Sequence, residues 1–136
     1  MTAKEYLWEI KDTAESLVAL GNELEAIQAR KEGLSSVVIS EKVKSSELYR
    51  SSLDELIVRE EHILKEQREL CSEWWRCRQM IRQIKDKQQS DTLRYFYLLN
   101  YTTWENVAKK IHVSDRTVYY LHGNALKEFR KISGFS

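Results

Sequence analysis

Asp115, Arg116, Tyr119 and Tyr120 place a carboxylate, a guanidinium and two phenols within one short stretch of chain. A guanidinium presents a planar fork of donors that fits the O6/N7 edge of guanine, and a carboxylate accepts from the exocyclic amine of cytosine. Phenol rings meet thymine methyls or donate to phosphate oxygens. This chemistry needs the four side chains on one outward face near the start of a helix. The spacing provides that face, because Val118, Leu121, Ala125 and Leu126 recur every three or four residues and claim the opposite side. Asp115 alone would repel a polyanion, so it needs either a base donor or Arg116 as its partner. Thr102, Thr103, Ser114, Thr117, Asn124 and Lys127 are the short polar and basic side chains placed to anchor phosphates around this face.

Such a helix has to be held by a second one. Counted from Trp104, the inward places of a twenty-residue two-helix unit are Val107, Ala108, Ile111, Val113, Val118 and Leu121, and all are apolar. Ala108 falls where the helices cross most closely, and its small side chain suits that place. Thr102 and Glu105 have the spacing of a capping box, and Ser114 is the expected N-cap of the second helix. At the turn, where glycine is usual, stands His112, which is expected to take a left-handed conformation. The reading is a helix-turn-helix for duplex DNA.

Two helices bury too little surface to stand alone. A support helix is expected from Leu93 to about Asn100, capped by Ser90 after a polar junction at 86–92, because Leu93, Tyr95, Phe96, Tyr97, Leu98 and Leu99 are too apolar for an exposed helix. Phe129 and Ile132 continue the inward face, Gly134 allows a stop, and Gly123 in mid-helix suggests close backbone approach.

Upstream, Thr2 and Glu5 form a capping box for a helix from Ala3 to about Lys31, with Leu7, Ile10, Ala14, Leu17, Gly21 and Leu24 along one face. Gly21 either bends this helix or permits a close crossing. Residues 33–46, with a glycine and several serines, are the expected loop, although Val37, Val38 and Ile39 could extend the helix or pack back. A second helix runs from near Ser46 to about Lys87. Its stripe of Leu53, Leu56, Ile63, Leu70, Trp74, Cys77, Ile81 and Ile84 is interrupted by Glu60 and Gln67, which either fix register or sit at a wet edge. The fold class expected is all-α: a long antiparallel, coiled-coil-like helical hairpin over 1–88, then a small three-helix domain over 89–136. The end of the second helix, with Trp74, Trp75, Ile81 and Ile84, needs a cover from a second copy or from the C-terminal domain.

Composition narrows the classes. The 136 residues contain no proline, four glycines and 32% charged side chains, which favours long helices over sheets. The net charge of +1 divides unevenly: residues 1–88 hold 15 basic and 17 acidic side chains, residues 89–136 hold 7 and 4. Positive charge thus accompanies the expected DNA reader. No membrane span or signal peptide is legible, so the cytoplasm is expected. Cys71 and Cys77 with His62, His112 and His122 lack ligand spacing, and no metal or other cofactor is expected. The absence of a nucleophile arrangement or phosphate loop argues against an enzyme.

With these residues in view, the C-terminal third resembles region 4 of sigma-70-type factors. The run TWENVAKKIHVSDRTVYYLHGNAL, with RTVYYLHGNAL most telling, is similar to small phage and prophage transcriptional regulators of Gram-positive bacteria, and MTAKEYL and the KVKSS segment also fit that group. The resemblance implies a late-gene or packaging-gene activator in a bacterial host cell, reading promoter DNA through Asp115, Arg116, Tyr119 and Tyr120. Tyrosines stand at the last two positions, where sigma factors tend to carry charged or amide residues, and nothing corresponds to sigma regions 1 to 3. The expected partners are double-stranded DNA, a second copy of the chain through the N-terminal helices, and host RNA polymerase. The competing expectation is a helical adaptor that binds polymerase or another protein without sequence-specific DNA contact.

Overall fold

The computed structural model describes residues 1–40 and 46–136, with side chains at 1–34 and 47–136. The fold is all-α. Among the described residues there are five α-helices, α1 (Ala3–Ser40), α2 (Ser46–Arg82), α3 (Lys87–Leu93), α4 (Trp104–Ile111) and α5 (Asp115–Ser133), and a π-helical turn over Arg94–Leu98 follows α3. No strand occurs among the described residues. No helix among them is long and apolar enough to cross a membrane.

The first capping box forms as expected: the Glu5 N–H donates to Thr2 Oγ1 at 3.1 Å, and the Thr2 N–H to Glu5 Oε2 at 3.4 Å. The helix it starts does not stop near Lys31. Residues 33–40 continue α1, so much of the expected loop is helical, and Gly33 and its serines are outweighed by the helix on either side. The rest of that loop, at 41–45, and the packing of Val37, Val38 and Ile39 lie outside the described residues. α2 ends at Arg82 rather than Lys87. Asp86 then starts α3 by accepting from the Gln89 N–H at 2.9 Å, so the polar junction is itself helical and Ser90 is not its cap.

Contacts divide the chain into two compact units, residues 1–16 with 71–136, and residues 17–70. In the first, the start of α1 (Ala3, Tyr6, Leu7, Ile10) and the end of α2 (Cys77, Ile81) share one core with Leu93, Phe96, Tyr97, Val107, Val118, Ala125 and Phe129. The C-terminal part of α2 is therefore covered by its own chain. Cys77, Ile81 and Ile84 are buried, and the half-buried Trp74 donates from Nε1 to the Leu98 carbonyl at 3.0 Å. Trp75 alone of the expected set stays exposed.

The π-helical turn explains how Phe96, Tyr97 and Leu98 can all be buried in sequence. It sits at the end of a helix, where carbonyls lose their intrahelical donors. Lys11 supplies replacements: its Nζ donates to the Phe96 carbonyl at 2.8 Å and the Tyr101 carbonyl at 2.7 Å. Burial lowers the Lys11 pKa, with Glu15 and Asp12 opposing that shift. Leu99 escapes the core at 49% exposed, against expectation, because Asn100 turns the chain at φ 56°.

In the second unit, α1 and α2 run antiparallel. Glu23, Ala26, Ile27 and Arg30 face Arg59, His62 and Ile63, while the later Gly33 and Leu34 face the earlier Ser52 and Leu56. Glu60 is half-buried and accepts from Lys31 Nζ at 3.3 Å, so this seam carboxylate has a partner across the pair. Apart from each glycine's own helix backbone and chain neighbours, no described atom lies within 4 Å of the place a Cβ would take on Gly21 or Gly123, so neither glycine serves a close helix crossing among the described residues.

Candidate nucleic-acid interface

The site is built on the α4–α5 corner. α4 starts one residue later than the capping-box spacing suggests: Thr103, in extended conformation, accepts from the Asn106 N–H at 3.2 Å. Thr102 precedes the cap, and Glu105 uses its carboxylate elsewhere. Ser114 caps α5 as expected, accepting from the Thr117 N–H at 3.1 Å. Its Oγ also lies 2.7 Å from Thr117 Oγ1, so one hydroxyl proton of this pair is spent internally and one is left for an outside acceptor.

Between the helices, His112 adopts φ 60° and ψ 47°. The His112 N–H donates to the Lys109 carbonyl at 3.3 Å and the Val113 N–H to the Ala108 carbonyl at 3.0 Å, which is the paired pattern of a Schellman stop. A side chain in this region costs about 1 kcal/mol that glycine does not incur. His112→Gly is expected to stabilise the chain by roughly 0.5–1 kcal/mol, since the exposed imidazole has little packing to lose. Urea denaturation of the two proteins checks this, and a destabilised variant would contradict the account of the turn.

Beneath the turn, Val107, Ala108 and Val118 are fully buried and Leu121 nearly so, while Ile111 and Val113 pack half-buried against the same cluster. Trp104 stacks on Phe96 with ring centroids 3.8 Å apart and meets the His122 ring at 4.3 Å. His122 Nε2 lies 2.9 Å from the Tyr97 hydroxyl. Burial, with Lys4 adding repulsion, pushes the His122 pKa down to about 4, so the imidazole is neutral near pH 7.

On the outer face Asp115, Arg116, Tyr119 and Tyr120 are all exposed, and Lys127 is exposed beyond them. Asn124 and Thr117 are half-buried. Asp115 and Arg116 make no hydrogen bond or ion pair among the described residues, so Asp115 does not orient Arg116 here. Tyr119 does have a partner: its hydroxyl donates to Glu105 Oε1 at 3.2 Å. Desolvation and that hydrogen bond raise the phenol's pKa. Sequence reasoning missed Glu105 in this role, although its place in the first turn of α4, beside the start of α5, was the available signal. It also passed over Lys109 and Lys110, which line an open groove with Asn100, Tyr101, Thr102 and Asn106. That groove puts two ammonium groups beside Thr102, one of the expected phosphate anchors.

Among the described residues no three His, Cys, Asp or Glu side chains group as metal ligands. Cys71 is exposed and Cys77 buried, both as free thiols, and burial pushes the Cys77 thiol up to about 12.

Residues 34–130 match the family described as "Protein of unknown function (DUF1492)". The chain belongs to this family. The matched span runs from the last turns of α1 to Arg130 in α5, so it includes the whole α4–α5 corner and each of the outward side chains above. Comparison with curated proteins and with solved structures finds no match.

Proposed function

We propose that this DUF1492 protein is a sequence-specific DNA-binding transcriptional regulator in which α4 and α5 act as a helix-turn-helix and α5 enters the major groove by its N-terminal end. The observation that carries this reading is the two-sidedness of α5. Val118, Leu121, Ala125, Leu126 and Phe129 are buried, while Arg116 and Asp115 are exposed with no partner among the described residues and Tyr120 is 72% exposed. An exposed guanidinium at the start of a helix held by a hydrogen-bonded turn is suited to a bidentate contact with guanine. Tyr119 is a conditional reader, because it must leave Glu105 to reach a base. Ser114, Thr117, Thr102 and Thr103, with Lys109, Lys110 and Lys127, offer hydroxyl and ammonium donors to the flanking phosphates.

The test is a titration on fragments selected by the protein from a random DNA pool and on promoter fragments of Gram-positive phages. Arg116→Ala is expected to lose about 1–3 kcal/mol on the selected site and little on random duplex. An equal loss on both would remove the base-reading role. The similarity to phage regulators extends the proposal to late or packaging genes in the cytoplasm of a bacterial host.

The reading includes a homodimer through the N-terminal helices. Val18, Leu48 and Val58 are each more than half exposed on the unit at 17–70, apolar surface that a second copy would remove from water. Pairing two weakly charged readers raises effective affinity. Sedimentation at micromolar concentration is expected to show a dimer, and a monomer throughout that range would end this part of the proposal.

A further inference from the structure

The arginines of the α2–α3 corner have no part in the reading above. Arg78 and Arg82 stand four residues apart on α2, and Ser90 and Arg94 four apart on the helix that follows, so each pair shares one helix face. Those faces meet around a cavity of about 260 Å³ lined by Arg78, Arg82, Ser90, Arg94 and Leu98. Three arginine side chains therefore line one small space. A carboxylate opposes them: Asp91 Oδ1 lies 3.4 Å from Arg94 Nη2.

The arginines are held from behind. Arg94 Nη2 lies 3.3 Å from the Tyr95 hydroxyl, and the Arg78 guanidinium sits 4.8 Å from the centre of the Trp75 ring. Yet Arg78 Nη1 and Arg94 Nε are buried with no hydrogen-bond acceptor among the described residues. Buried donors of this kind normally have a partner, because leaving one unmade forfeits its full hydration. The partial negative charge at the end of α2 favours a nearby cation, but it does not supply acceptors for these two groups. Ser90 contributes shape rather than a proton, since its hydroxyl donates to the Ile81 carbonyl at 3.2 Å.

We infer that this cavity is a binding site for a phosphate group, held by Arg78, Arg82 and Arg94. A tetrahedral oxyanion carries enough acceptors for the forks of all three and lowers the repulsion among them. A carboxylate has one face and two oxygens, and would leave at least one arginine unmatched. The site uses none of the outward side chains of α5 and does not depend on DNA reading by α5.

Titration of the full chain with inorganic phosphate, at fixed pH and ionic strength against chloride, tests the inference. The melting temperature is expected to rise with phosphate and level off, and the phosphorus resonance to broaden on adding protein. Arg78→Gln and Arg82→Gln should each weaken the apparent affinity by about tenfold or more, the loss of a charge-assisted contact. Arg82 is exposed, so its variant keeps the test valid if Arg78→Gln fails to fold. A melting temperature indifferent to phosphate, or an equal rise in the Arg82 variant, would overturn the inference. A short duplex then identifies the source: displacement of bound phosphate points to a nucleic-acid backbone, and retention points to free phosphate or a monoester. Both of those results support the site.

Discussion

Phe129→Ala is expected to lower the unfolding free energy of the chain by about 3–5 kcal/mol, enough to leave a small domain barely folded. Phe129 is fully buried in α5, and its ring lies parallel to that of Tyr6 with centroids 6.1 Å apart. Truncation removes apolar surface from the core and leaves a hole bordered by a helix from the opposite end of the sequence. The surrounding elements cannot collapse into it easily, because α5 is fixed at both ends, by Ser114 and by Gly134 in the left-handed region. Ile132, half-buried on the same face, provides the comparison and should cost less when truncated. Urea melts followed by circular dichroism and tryptophan emission measure both. A loss under about 1 kcal/mol for Phe129→Ala would mean that this ring does not join α5 to α1.

His122 should make stability depend on pH in a defined window. Its pKa in the fold is about 4, below the ordinary value of 6.5, so the folded chain binds fewer protons than the unfolded one between these limits. The resulting stabilisation is complete above pH 6.5 and is lost as pH falls toward 4. It amounts to at most about 3 kcal/mol, and less because part of the ring is in contact with water. In the neutral state Nε2 can accept from the Tyr97 hydroxyl, whereas an imidazolium can only donate and would place a charge against Trp104 and Tyr97. Carboxylates titrate nearby, so the measurement is the difference between wild type and His122→Gln across pH 4–7.5. That difference should rise with pH through the window. A flat difference would show that the imidazole titrates normally in the fold.

Much of the α4–α5 corner was legible because its signals are local. The six inward residues, the Ser114 cap and the left-handed His112 each follow from neighbours within one or two helical turns. The outward placement of Asp115, Arg116, Tyr119 and Tyr120 follows from the same periodicity. Even local signals fail where two candidates compete, as at Thr102 and Thr103, since adjacent threonines offer the same oxygen in different registers. The reach of α1 past Lys31 was obscured by Gly33 and the serines, whose weak preference is overridden when a helix continues around them. The partners least visible in the chain were those far apart along it. Lys11 capping the Phe96 and Tyr101 carbonyls joins residues 85 and 90 positions apart, and no periodicity reports such a contact. The three arginines of the α2–α3 corner lie in ordinary charged helix surface until a helix start at Asp86 folds one pair onto the other.

The same arrangement has a consequence for how the protein is made. Tyr6, Leu7 and Ile10 are made before Val118, Ala125 and Phe129, their companions in one core. That core cannot close until the chain has been made through Phe129, so the inward residues at the start of α1 wait without these partners. Loop closure over such separations slows folding more than it weakens the final state. The core beneath α5 therefore closes only once the chain has been made through Phe129, and a chain terminated before that point would be prey for proteases.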